Sequence, residues 1–376
     1  MATILQKSRL LQGLVAGDSA KTGPFYVGIG LTDRCNLRCV GCPYHSAIAG
    51  VSQWRGTDGC DIDVDVFKHL CEELRSMGTK ALLLYGSGEP LLHNQIVEMV
   101  AFAKKLGFHI TLITNGSLID HTTAKALVET GLDVLRVSLW AGTLDQYRQN
   151  YPGSHPKNFQ RVLDGLRFVS QLKVERETLF PQLVLYHVIN RYNCRELDTM
   201  VDRASDTGCD GLFFWPMYDA DGTLSDIVLS KDEYNETQRK LMSMRRQLDS
   251  LSLAHNVGQV VQRFNIANEL GGTTPCYIAW FHVRVRADGS VQPCGRCDPT
   301  IDFGNLHNNT FREIWNGPAI QEFRRMAYSG EGMSSLSEHC DCKTCCYIGD
   351  ILRVHRMFKW FRPFSACWRK VKGAFG

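Results

Sequence analysis

Residues 35–42 read CNLRCVGC and place Cys35, Cys39 and Cys42 at C-x3-C-x2-C spacing, directly after the apolar run Tyr26–Leu31. The run has the composition and length of a strand, so three thiolates sit together on the loop that follows it. A 4Fe–4S cube takes one protein ligand per iron. Three close cysteines with no fourth nearby leave one iron open to a small molecule. Zinc is the competing reading, but structural zinc takes paired knuckles, and no cysteine or histidine follows at finger spacing until far down the chain.

Working outward, short apolar runs alternate with longer helical patterns. The runs are 26–31, 81–85, 109–113, 134–139, 183–189 and 211–215; helices are predicted over 65–77, 95–106, 122–129, 157–172, 194–207 and 231–251. This is how successive βα units read, and six units point to a partial (β/α)6 barrel of the α/β class, with a full eight-stranded barrel as the alternative. In such folds chemistry gathers at the carboxyl ends of the strands. Gly86-Ser87-Gly88-Glu89-Pro90 follows the second strand and Thr114-Asn115-Gly116 the third, while Ser138 ends the fourth within RVSLW and Arg148 lies just beyond it. Glycines let a backbone come close to a ligand, and a carboxylate pairs with an ammonium group. His187, within the valine- and leucine-rich fifth run, reads as a packed, hydrogen-bonded residue, and His109 and His282 read likewise.

The cysteine trio followed by GSGEP one strand later resembles the radical S-adenosylmethionine (SAM) superfamily. The resemblance implies that Cys35, Cys39 and Cys42 hold the cluster that binds SAM, and that the Gly86–Glu89 segment receives the SAM amino group, with Glu89 as its carboxylate partner. It also implies that Asn115 reaches the ribose and that Ser138 and Arg148 contact the methionine carboxylate. Trp215, Pro216 and Met217 fall where barrels of this family meet substrate. Gly41 departs from the pattern, because the family often carries an aromatic residue before the third cysteine, near the adenine; Tyr44 is the candidate to replace it.

A polar stretch over 252–275 reads as a linker, and beyond it seven of the fifteen cysteines fall within 276–346. Ala287-Asp288-Gly289 between two β-type runs signals a hairpin ending at Cys294. The layout resembles the SPASM and shorter twitch domains of radical SAM enzymes and implies one auxiliary 4Fe–4S cluster on Cys276, Cys294, Cys342 and Cys345. Cys340 or Cys346 is an alternative for the last pair, and zinc on the same four residues is the alternative metal. The expected division is an N-terminal extension at 1–24, a barrel over 25–251, the linker, a cluster domain over 276–350 and a basic aromatic tail at 351–376.

Bulk properties narrow the partners. With 42 basic and 39 acidic residues the net charge is +3, which gives no case for nucleic-acid binding. The N-terminus lacks the apolar core of a secretory signal, so a reducing, cytoplasmic setting is expected, where cysteines at motif spacing serve as metal ligands or reactive thiols rather than disulfides. The tail joins basic residues to Phe358, Trp360, Phe361, Phe364, Trp368 and Phe375, a composition suited to peripheral contact with an anionic membrane; packing of its aromatics against the protein is the alternative.

The family resemblance implies an enzyme that cleaves SAM reductively to a 5′-deoxyadenosyl radical, with electrons from a flavodoxin or ferredoxin, and takes hydrogen from its substrate. The short N-terminal segment points to a small sugar, aminocyclitol or related metabolite, oxidised or epimerised, with Cys297 and Cys60 as candidate hydrogen donors. A maturase acting on a peptide or protein is the alternative, and a non-catalytic iron–sulfur electron-transfer protein is the alternative of a different class.

Overall fold

In the computed structural model the described residues are 4–358, apart from 47, 49–58, 220–221, 263–273, 298–300, 330–331, 337–339 and 343–344. They form two compact units. One comprises Met1–Ile29, Ile62–Leu82 and Asn268–Gly376; the other comprises Gly30–Asp61 and Leu83–Ala267.

The second unit is built of βα repeats. Strands β3 (His109–Thr114), β4 (Val134–Ser138), β5 (Gln182–Ile189), β6 (Gly211–Pro216) and the two-residue β7 (Ala254–His255) pair consecutively, all in parallel. Helix α3 (Ile96–Lys105) leads into β3, and α4 (His121–Glu129), α6 (Lys157–Glu175), α7 (Asp198–Asp206) and α8 (Lys231–Ser250) run between the strands, as the periodicity predicts; α5 (Leu144–Asn150) is an additional short helix. Helix ends follow local chemistry. The α8 start is a capping box in which Ser230 and Glu233 satisfy each other's backbone N–H. Helices α3 and α4 both give way to glycines at positive φ, Gly107 and Gly131, where a side chain would be strained.

Strand pleating sorts residues between two faces. On one face Leu135, Val137, Leu185, His187, Leu212 and Phe214 are fully buried. Gly116 sits against both Val137 and Val162 of α6, which places this face under the helices. The opposite face carries Arg136, Ser138, Tyr186, Val188, Phe213 and Trp215, all half-buried. Register aligns them, with Ser138 opposite Tyr186, Tyr186 opposite Phe213 and Val188 opposite Trp215.

In the other unit β1 (Tyr26–Gly30) pairs in parallel with β8 (His282–Val285), and β8 pairs antiparallel with β9 (Val291–Gln292), the hairpin expected from Ala287-Asp288-Gly289. The N-terminal segment differs from the expected extension, because helix α1 (Ile4–Ala16) and the residues after it belong to the cysteine-rich unit. The buried guanidinium of Arg324 ties them in. It donates to the carbonyls of Asp18, Ala279 and Trp315 and to Asn316 Oδ1, lying over the Trp280 and Trp315 rings. Gln6 Nε2 donates to the Gly78 carbonyl at 2.8 Å, joining α1 to the segment that carries helix α2 (Val64–Ser76). A charged group with four acceptors cannot be withdrawn without leaving several buried polar groups unmet, so these segments share one core. Such long-range ties have no local sequence signal.

Residues 359–376 of the tail lie outside the described residues. In the preceding helix, Ile348–Phe358, the side chains of Val354 and Phe358 are buried whereas Met357 is exposed, so this part of the aromatic stripe packs inward. No helix among the described residues is long and apolar enough to cross a membrane.

Candidate active site

The cysteine loop and the GSGEP segment are laced together through their backbones. Gly88 N donates to the Thr32 carbonyl at 3.0 Å and Glu89 N to the Arg34 carbonyl at 2.8 Å. A Cβ on Gly86 would stand 2.5 Å from the Thr32 carbonyl oxygen, and one on Gly88 only 2.0 Å from that of Arg34. The glycines therefore admit the chain segment that leads into Cys35, a role the sequence reading gave to the approach of a ligand. Arg34 fixes the same segment from its other side, its guanidinium pairing with both oxygens of Asp61 while Thr32 Oγ1 donates to Asp61 Oδ1.

Glu89 is 2 % exposed. Its Oε1 accepts from Leu91 N at 3.0 Å and from Thr114 Oγ1, and its Oε2 accepts from Asn115 N at 2.7 Å. Burial raises its pKa, opposed by these three bonds. A carboxylate has about four lone-pair positions, so about one stays open to a further donor. Asn115 Nδ2 donates to Asn36 Oδ1, Asn36 Nδ2 donates to Ser117 Oγ, and Ser117 Oγ donates to Asn115 Oδ1, closing a ring of amides and a hydroxyl above β3. Ser138 Oγ accepts from Trp140 Nε1 at 2.9 Å. Arg148 is exposed and paired with Asp145 at 3.3 Å, an i,i+3 surface pair. The sequence reading picked out Glu89 and Asn115 but gave no role to Thr32, Asn36, Asp61 or Ser117, because each acts through a partner distant in sequence. Asn36 alone was visible, within CNLRCVGC.

The three thiols lie close enough to oppose one another's ionisation. Burial chiefly, then the charges of Cys42 and Cys35, push the Cys39 thiol well up; Cys35 is pushed up to about 11 by burial, with Glu89 and Cys42 contributing. Burial raises Cys42 too, but the N–H groups of Tyr44, His45 and Ser46 aim at its sulfur and favour the thiolate. Three soft donors in one half-buried loop, held by a backbone cradle that no side chain may enter, fit an iron–sulfur cube. Gly41 has its own explanation: its Cβ position lies 2.6 Å from Met217 Cε. Met217 packs with Val40, Leu224 and Ile227 and fills the space beside this position, where the sequence reading had looked to Tyr44.

In the other unit Cys276, Cys294, Cys297, Cys340, Cys342 and Cys345 line one cavity. Burial first, then mutual charge, pushes Cys294 up to about 12, with Cys346 the largest of the charge contributions. Cys297 and Cys340 are disulfide-bonded, and Cys297 Sγ lies 3.6 Å from Cys294 Sγ. This corrects two expectations. A bonded sulfur carries no S–H, so Cys297 is not a hydrogen donor here, and two cysteines brought together on facing segments do form a disulfide. Beside this cavity the Tyr26 and Tyr347 rings each lie 4.6 Å from the His282 imidazole, tilted to it by 34° and 38°. Cys60, in the unit of the GSGEP segment, is a half-buried thiol outside any disulfide.

Comparison with known proteins accords with both sites. The radical SAM superfamily model matches residues 29–204, and that of SPASM, an iron–sulfur cluster-binding domain, matches residues 276–346. The chain belongs to the radical SAM superfamily and carries a C-terminal SPASM domain. It is 26% identical to AdoMet-dependent heme synthase of Methanosarcina barkeri over 84% of this chain and 88% of that protein. It is 25% identical to PqqA peptide cyclase of Xanthomonas campestris over 87% of this chain and 84% of that one. The crystal structure of Streptococcus suis SuiB bound to precursor peptide SuiA shares the fold, with a TM-score of 0.63 at 13% identity, over 85% of this chain and 70% of that one. The fold is thus α/β, a partial (β/α)6 TIM-like barrel with a C-terminal SPASM-type domain, and the cofactors are a SAM-binding 4Fe–4S cluster, an auxiliary cluster and SAM.

Proposed function

We propose that this radical SAM enzyme modifies a peptide or protein. The observation that carries the reading is the likeness to PqqA peptide cyclase over 87% of this chain and 84% of that one. It favours the maturase alternative over the small sugar or aminocyclitol expected from the short N-terminal segment.

When bound, the reduced cluster and SAM supply a 5′-deoxyadenosyl radical able to take hydrogen from an unactivated carbon. Cys35, Cys39 and Cys42 would hold the SAM-binding cluster. The open acceptor position of Glu89 would take the SAM ammonium group, and the ring of Asn36, Asn115 and Ser117 would offer donors and acceptors to the ribose hydroxyls. Ser138 serves the methionine carboxylate; Arg148, already paired at the surface, has a weaker case. Cys276, Cys294, Cys342 and Cys345 would hold the auxiliary cluster, which would supply one-electron redox chemistry beside the site. Cys60 is the hydrogen donor should the outcome be epimerisation. Protein groups in such a site act by orienting cofactor and substrate and by excluding water.

The test is to incubate anaerobically reconstituted protein, SAM and a reductant with short peptides encoded beside its gene. The expected result is 5′-deoxyadenosine formed in step with a peptide that has lost hydrogen, read by mass spectrometry. Turnover of a sugar or tetrapyrrole, with no peptide changed, would replace this reading.

A further inference from the structure

Arg136 stands on the half-buried face of β4, two residues below Ser138 and on the same side of the sheet. Its guanidinium lies 5.5 Å from the centroid of the Tyr186 ring and 5.9 Å from that of Phe213. Its Nε is buried and has no hydrogen-bond partner, and no carboxylate pairs with it among the described residues. Other partly buried cations of this unit are matched: Lys104 pairs with Asp133 at 2.6 Å, and Lys173 pairs with Asp210. Removing a guanidinium from water without a counter-charge is costly, and two aromatic faces offset only part of that cost. Burial accordingly lowers its pKa, without bringing deprotonation within reach of physiological pH.

A cation kept in this state, with its planar fork free and aromatic side chains beside it, is a receptor for a planar anion. Two parallel N–H groups match a carboxylate, and a low-dielectric setting strengthens the pairing. Tyr186, Phe213 and Trp215 add an apolar wall on the same face, suited to the methylenes of an acidic side chain. We infer that Arg136 binds a substrate carboxylate, supplied by a glutamate or aspartate of the peptide, and so sets which residue is presented to the radical. The acidic-peptide source rests on the peptide reading above; the carboxylate itself does not.

The test uses reconstituted holoenzyme with SAM bound, titrated calorimetrically with three probes: capped pentapeptide pools with central glutamate, matched pools with central glutamine, and glutarate. Wild type is expected to bind the glutamate pool about tenfold more tightly than the glutamine pool. In Arg136→Met that preference should vanish while iron content and SAM affinity are kept, and Arg136→Lys, which keeps charge without the fork, should fall between. Glutarate bound in an Arg136-dependent way, with neither pool bound, would uphold the carboxylate receptor and remove the peptide reading. The inference is overturned if wild type binds neither glutarate nor the glutamate pool in preference to glutamine. It is overturned equally if the preference survives in Arg136→Met, or if that variant loses SAM affinity about tenfold, which would assign Arg136 to the cofactor.

Discussion

The two cysteine regions of this chain differ in what surrounds the sulfur. The trio at Cys35, Cys39 and Cys42 lies among polar groups that are held from behind: Glu89, Asn36, Asn115 and Ser117 bond to one another, and the backbone of Gly86–Glu89 is fastened to Thr32 and Arg34. The cysteines of the SPASM region share their cavity with Ile278, Phe323, Leu336 and Ile351, and at its margin with Arg296, Asp341 and Tyr347. Three ligands with hydrogen-bonding capacity beside them suit a site where a polar molecule completes the coordination; a larger set of cysteines in a mostly apolar lining suits a closed site. Ligand count and second partners, more than the presence of thiols, separate a reactive cluster from a relay.

The largest effect should come from removing one set of ligands. Wild-type protein should take up about eight irons, and changing Cys35, Cys39 and Cys42 together to alanine should leave about four, in the SPASM region, by iron assay of reconstituted protein. Equal loss from both regions would mean that they do not assemble independently.

Gly88→Ala tests the backbone lacing. With its Cβ 2.0 Å from the Arg34 carbonyl oxygen, the cysteine loop must shift, and the variant should lose the SAM-binding cluster while the SPASM cluster persists. Full iron content with unaltered SAM binding would show that the loop tolerates displacement. Glu89→Ala should retain both clusters but lose roughly ten- to a hundredfold in SAM affinity, because buried donors worth about 1–3 kcal/mol each are left unmet along with the ammonium.

Each unit also holds a fully buried histidine whose protonation burial opposes. Burial lowers His187 to about 4 and His282 to about 3. Below the ordinary value of about 6.5 the unfolded chain takes a proton that the folded chain refuses. Stability is therefore full above about pH 6.5 and falls by about 1.4 kcal/mol per pH unit for each histidine on acidification, down to the folded value. Urea midpoints between pH 7 and 5 should show the slope, and His187→Gln should remove its share. At the small end, Arg148→Ala should change SAM affinity less than about threefold, as befits an exposed pair with Asp145.

Much of this was legible along the chain. The βα alternation, the cysteine spacings and GSGEP are local patterns, and local patterns report strand, helix and loop. What stayed hidden depends on partners remote in sequence. Arg136 was quoted within RVSLW without remark, since an arginine in a strand signals nothing until Tyr186 and Phe213 are known to flank it. The packing role of Gly88 was hidden for the same reason, its nearest neighbour being the Arg34 carbonyl. Likewise, nothing in MATILQKSRLL announces that α1 joins the cysteine-rich unit through Gln6 and Gly78.

The central claim is that SAM is cleaved at the trio and nowhere else. Reconstituted wild-type protein, given SAM and dithionite without substrate, is predicted to form 5′-deoxyadenosine, and the Cys35/Cys39/Cys42 triple alanine variant, with its SPASM iron still in place, is predicted to form none. Cleavage persisting in that variant, or absent from fully reconstituted wild type, would contradict the account.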